Sequence, residues 1–242
     1  MELSNVFLFV GLPYAAMLIF LTGTIQRYRN KGFKVSTLSS QFLEGRALFW
    51  GSVPFHFGIL VLFFGHLSAF LLPGPTIMWN ANPARLIALE VTAFTFGLST
   101  LVGLTALFVR RLTNVRVKMV TSKMDIFLEL LLLVQVVFGL WVAIGYRWGS
   151  SWFAADLAPY LWSLFKADPN ISAVSAMPWP IQVHIVGAWL IIGIFPYTRL
   201  VHFLVAPLHY ITRPYQRVMW NWDRKAIRDP RTPWSAMRPK NN

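Results

Sequence analysis

The sequence predicts an all-α integral membrane protein with five transmembrane helices, its N-terminus outside and its C-terminus in the cytoplasm. Three observations carry this fold class. Hydrophobic residues fill 56% of the 242 positions and charged residues 13%, the balance of a membrane chain rather than a soluble one. The hydrophobic residues are collected into five runs, each of about 20 residues, the length a helix needs to cross a hydrocarbon core about 30 Å thick. Lys and Arg crowd into alternate connections between the runs, the asymmetry that orients membrane helices.

The first run covers residues 5–26, preceded by Glu2 and followed by Arg27, Arg29, Lys31 and Lys34. A cleavable signal peptide would carry its positive charge first, so this reads as a retained helix. The second covers 49–72, with Pro54 in its first turns and Pro73-Gly74-Pro75 closing it, both tolerable placements for proline. The third covers 86–109 and is followed by Arg110, Arg111, Arg116, Lys118 and Lys123; the fourth covers 124–145 and the fifth 180–206. Segments 27–48, 110–123 and the tail from Arg213 are basic, whereas 73–84 has no Lys or Arg before Arg85 and 146–179 sets only Arg147 and Lys166 against Asp156 and Asp168. The basic connections are therefore cytoplasmic, in a bacterial or archaeal cytoplasmic membrane. The outer connection 146–179 carries Trp148, Trp152, Trp162 and Trp179 among several prolines. It reads as a belt in the headgroup region, with a short interfacial helix near 151–166. Residues 1–212 form the membrane domain and 213–242 a cytoplasmic basic tail. The net charge of +13 is explained by this topology and by contact with membrane lipid, not by nucleic acid.

Four of the five histidines lie inside apolar runs, as His56 and His66 in the second and His184 and His202 in the fifth. Histidine is a common metal ligand, and ionisable residues inside a membrane are functional candidates. In an unbroken helix the eighteen residues from His184 to His202 span roughly 27 Å and return to one face. The ten from His56 to His66 span roughly 15 Å and return to within about 80°. Antiparallel second and fifth helices then pair His66 with His184 near the outer side and His56 with His202 near the cytoplasmic side, with the two centres roughly 20 Å apart. Pro196 supplies a kink. No cysteine is present, which excludes iron–sulfur clusters, thiolate zinc and covalent haem within the chain. The i, i+4 histidine and Glu-x-x-His patterns of zinc and di-iron sites are absent as well. Two haems b between the second and fifth helices suit these residues, with Gly58, Gly65, Gly187 and Gly193 offering room for the macrocycles. Arg110, Arg111 and Arg199 stand at the cytoplasmic level as partners for haem propionates, and the spacing of Arg199 and His202 places them on one face. For Arg110 and Arg111 the positive-inside bias is the competing account. His209 falls outside the paired pattern and belongs to the interface. A transporter relaying protons through these histidines would need acidic partners, and Glu90 and Glu129, the acidic residues clearly inside the runs, are remote from them in sequence.

Several motifs resemble the gamma subunit of respiratory nitrate reductase, the di-haem cytochrome b that anchors a cytoplasmic catalytic pair. They are SSQFLEGR before the second helix, FHFGIL followed by GH within it, and RRL then RV after the third. QVVFGL in the fourth and FPYTRLVH followed by YITRPYQ complete the set. The resemblance covers nearly all of residues 1–217. It implies that His66 and His184 bind the outer haem and His56 and His202 the inner one, and that electrons pass between a quinol at the outer face and a cytoplasmic iron–sulfur subunit. Beyond that subunit it implies a molybdenum catalytic subunit; the chain alone would not reduce nitrate. Gly65 and Arg85 would form the quinone site, Arg85 standing close to where quinol-oxidising members carry a lysine. The same framework serves the equivalent subunit of a nitrite oxidoreductase, with electrons arriving from nitrite. The tail from Arg213 carries eight Lys or Arg residues interleaved with Trp220, Trp222 and Trp234, and is expected to dock on the iron–sulfur partner.

Overall fold

In the computed structural model, residues 3–31, 40, 43–205 and 212–214 are described. The described residues are helical apart from short connections, and five helices are long and apolar enough to cross a membrane: Leu3–Asn30, Arg46–Leu71, Pro83–Thr113, Lys123–Gly145 and Trp179–Tyr197. The chain divides after Val205. Of the unit beyond that division only 212–214 are described, so His209 and nearly all of the expected docking tail lie outside the described residues.

Local chemistry fixes the helix ends. Glu44 accepts from the amides of Ala47 at 2.7 Å and Leu48 at 3.2 Å, satisfying donors that the first turn of the second helix leaves open. Asn82 caps the third helix, with Pro83 in its first turn, a position where the missing N–H costs nothing. Ser122 and Asp125 form a reciprocal capping box on the fourth. Pro73-Gly74-Pro75 ends one helix and begins another, the short helix Pro73–Asn80, because proline at a first turn is as suited to starting a helix as to stopping one.

In space the spanning helices neighbour one another in the order second, third, fourth, fifth, first. The second and third pack most closely. A side chain at Gly58 would strike Thr100 and the Phe96 carbonyl, and one at Gly103 would strike the backbone of Gly51 and Phe55. The second and fifth helices, by contrast, have no extensive contact, and the second is the least covered of the five. Large apolar side chains such as Phe57, Phe64 and Val102 point outward, as lipid-facing residues do.

One feature differs from expectation. The fifth α-helix stops at Ile194 rather than running to 206. A 3-10 turn follows over Phe195–Tyr197, then extended Thr198, then a second 3-10 stretch, Arg199–Val205. Pro196 has no N–H for the Ile192 carbonyl and its ring crowds that turn. The 27 Å span of one unbroken helix therefore does not apply.

The connection 146–179 holds the expected short helix. Residues 149–165 form that helix, π-wound over Phe153–Leu157, and one side of it packs as a cap. Ala154, Leu157, Tyr160 and Leu164 join Phe9 and Ala16 of the first helix in the main buried cluster. Tyr160 donates to the Phe9 carbonyl at 2.9 Å and Tyr14 to that of Leu164 at 3.0 Å. Burial raises the Tyr160 hydroxyl well above the usual tyrosine range. Glu90 accepts from the Gly149 amide at 2.9 Å, so this intramembrane carboxylate anchors the start of the cap.

Candidate functional site

The second helix carries His56 and His66, the fifth carries His184, and the 3-10 stretch after it carries His202. His56 and His202 face each other with ring centroids 6.1 Å apart and planes at 67°. His66 and His184 are within electrostatic reach of one another, and the His66 ring lies 5.6 Å from that of Phe153 in the cap. The cap is fastened to the same end of the second helix by Trp162, which stacks on Phe70 and donates to its carbonyl at 3.0 Å. Among the described residues no three His, Asp or Glu side chains converge as a metal cluster.

Each of these four histidines has its Nδ1 beside a backbone carbonyl. His56 meets Ser52 O at 2.7 Å, His66 meets Leu62 O at 2.8 Å and His202 meets Arg199 O at 2.6 Å, all within their own helical segments. His184 instead meets Gln135 O of the fourth helix at 3.1 Å. A carbonyl only accepts, so Nδ1 carries the proton in every case. In the neutral imidazole so held, the lone pair is on Nε2, where it can bind a metal.

The broken fifth helix is held by arginines. Arg27 of the first helix donates to the carbonyls of Pro196 and, at 3.0 Å, Thr198, which flank the junction between the two 3-10 stretches. Arg199 was expected to point at the cofactor of His202; its guanidinium grips Asp125 at 2.6 and 3.0 Å and the Val120 carbonyl at 3.2 Å. Arg111 pairs with Glu129 at 2.8 Å and reaches Asp125 at 3.6 Å. Arg110 is buried, binding Glu44 Oε2 at 2.6 Å, the Glu44 carbonyl at 2.7 Å and both oxygens of Ser40. Arg110's hydrogen bond holds the Glu44 carboxyl below the usual glutamate range.

The glycines divide unequally. Gly65 alone of the four expected to admit a macrocycle has open space where a side chain would be; Gly58 packs on the third helix, Gly187 on Gln135 and Gly193 on Ala16. Arg85, at the start of the third helix, lies over the Trp79 ring at 4.9 Å. Sequence reasoning did not single out Gln135 or Arg27 as site residues. The signal for Gln135 was available, since it is the one amide in a 23-residue apolar helix, and intramembrane polar groups are rarely idle.

Together the fold and these pairs define a class: a multi-pass membrane protein in which two facing helical segments each present two candidate metal ligands. The chain belongs to the nitrate reductase gamma subunit family, whose sequence pattern matches residues 5–221. It is 33% identical over 217 residues to the respiratory nitrate reductase 2 gamma chain of Escherichia coli K12, covering 88% of this chain and 96% of that one. It is 31% identical over 208 residues to the nitrate reductase gamma chain of Bacillus subtilis 168, covering 84% and 93%. With the E. coli respiratory nitrate reductase 1 gamma chain the identity is 30% over 225 residues, covering 90% and 98%.

Proposed function

We propose that this chain is the di-haem cytochrome b subunit of a nitrate reductase complex, with one haem b held by His56 and His202 and a second by His66 and His184. The observation that carries the reading is the 6.1 Å between the His56 and His202 ring centroids. Two imidazoles this close, each with Nε2 free, could hold one metal between them. The free Nε2 atoms, the lack of extensive contact between the second and fifth helices and the open side of Gly65 favour the same group. Without cysteine, attachment is non-covalent. Haem supplies one-electron redox chemistry when bound. The protein's part is to fix the ligand tautomers and orient the rings.

With the basic connections cytoplasmic, His56 and His202 stand on the inner side and His66 and His184 on the outer. Of the three arginines assigned to propionates, Arg199 keeps the most accessible side chain, 31% against 16% for Arg111 and 4% for Arg110. Propionate binding therefore falls first to Arg199, with Arg111 joined to it through Asp125. A quinol at the outer face, near Gly65 and Arg85, donates electrons that cross to a cytoplasmic iron–sulfur subunit and its molybdenum partner. Each charge moved across the membrane potential is worth roughly 2.3 kcal/mol per 100 mV.

Reduced-minus-oxidised spectra of the purified complex test the reading. Two b-type signals are expected, with His66→Ala and His184→Ala removing the same one and His56→Ala and His202→Ala the other. Retention of both signals in His66→Ala would refute the ligand set.

A further inference from the structure

We infer that the fourth spanning helix, which contributes no ligand, sets the orientation and electron donation of the outer ligand through Gln135 and Gly139. This inference rests on His184 being a haem ligand. Three of the four histidines take their Nδ1 partner from their own helical segment, but His184 takes it from the Gln135 carbonyl at 3.1 Å. In a helix that carbonyl also faces the residue four positions on, which is Gly139. A side chain there would sit 2.9 Å from His184 Cε1, so glycine is what leaves the carbonyl open to the imidazole. The arrangement is reciprocal. Gln135 Nε2 donates to the His184 carbonyl at 2.9 Å, and its Oε1 lies where a side chain on Gly187 would be. Each helix thus carries one polar side chain and one glycine, and each side chain seats over the other helix's glycine.

Two hydrogen bonds in opposite directions fix both the distance between these helices and the rotation of the imidazole. A firm Nδ1–H bond to a carbonyl makes Nε2 a better donor to a metal. Better donation favours the oxidised iron, so the interlock holds the outer potential down. The inner ligand His202, braced within its own segment, is not subject to this control. Gln135 and Gly139 are therefore positioning residues for one haem only.

The test uses the whole complex, with the outer haem identified as the signal lost in His184→Ala. Gln135→Met keeps the side-chain length but removes the amide, and Gly139→Ala displaces the ring directly. Both variants are expected to retain two b-type haems, to shift the ferric EPR g-maximum of the outer haem and to raise its midpoint potential, leaving the inner haem unchanged. Should Gln135→Met lose haem altogether, Gly139→Ala and the milder Gln135→Asn supply the same readout. Unchanged outer g-maximum and potential in Gln135→Met and Gly139→Ala, or equal shifts in both haems, would overturn the inference while leaving the ligand set intact. Absence of b-type haem from the unsubstituted complex would instead overturn the functional reading and this inference with it.

Discussion

Asp125→Ala is expected to loosen the inner haem selectively, through a chain of contacts that begins outside the ligand set. Asp125 receives both arms of Arg199, at 2.6 and 3.0 Å, and the Arg199 carbonyl receives His202 Nδ1–H at 2.6 Å. Breaking a buried ion pair costs about 3–5 kcal/mol because the surviving charge is left unpaired. Here the Asp125 side chain is 7% exposed but that of Arg199 is 31%, so water can reach the guanidinium and the cost falls below that range, to about 2–3 kcal/mol. Asp125 also closes the capping box with Ser122, worth about 1 kcal/mol more. A total of about 3–4 kcal/mol falls on the segment that presents His202. Heating the detergent-solubilised complex while following each haem band should show the inner haem released at a lower temperature than in the wild type, with the outer one little changed. Asp125→Asn, which retains shape and part of the cap, should lie between. If Asp125→Ala releases both haems together, or neither early, then His202 is not held through Arg199 and the reasoning fails.

Further perturbations separate the other contacts. Gly103→Ala places a methyl against the backbone of Gly51 and Phe55; overpacking of this kind costs about 1–3 kcal/mol, and since the second helix bears His56 and His66, both haem bands should broaden and melt earlier. Glu44 has a carboxyl lowered by Arg110, so its contribution is present above the unfolded-state value and lost as pH falls through the lower folded value. Amide exchange at Ala47 and Leu48 should thus stay slow at mildly acidic pH in the wild type and be fast across that whole range in Glu44→Gln. Arg85→Ala should slow reduction of the haems by quinol, and an unchanged rate would remove Arg85 from the quinone site. Deleting residues 218–242 should reduce recovery of the soluble subunits with the membrane while both haem spectra persist; undiminished recovery would leave the 110–123 connection as the docking surface.

The spanning helices were legible because length and hydropathy are properties of each run by itself, and the structure places a helix over every one. Boundaries shifted where a single residue decides them. Asn82 and Pro83 start the third helix earlier than the apolar run does, and Pro196 does more than kink the fifth, converting its end to 3-10 turns. The packing of the cap was not legible for a different reason. Its tryptophans signal a membrane interface, but its burial depends on Phe9 and Tyr14, about 150 positions away in sequence, and no local pattern carries such a contact. The arginines follow the same rule. Arg110, Arg111 and Arg199 are conspicuous as charges, whereas Glu44, Glu129 and Asp125 become their partners only once the helices are packed.

Helix order explains how two sites sharing one helix can be held independently. The second helix gives one histidine to each pair and satisfies both Nδ1 atoms itself, so it acts as a common wall. The opposing histidines are braced at different places: His184 by Gln135 in the middle of the fourth helix, and the segment bearing His202 by Arg27 of the first and Asp125 at the start of the fourth. The break at Pro196 separates these braces mechanically, because a continuous helix would carry any rotation at one histidine to the other, whereas extended Thr198 absorbs it. A proline that costs the fifth helix its regular hydrogen bonds thus gives each ligand its own support. Arg27, by donating to the carbonyls that flank the junction, makes that interruption tolerable inside a bilayer, where an unsatisfied carbonyl would cost several kcal/mol.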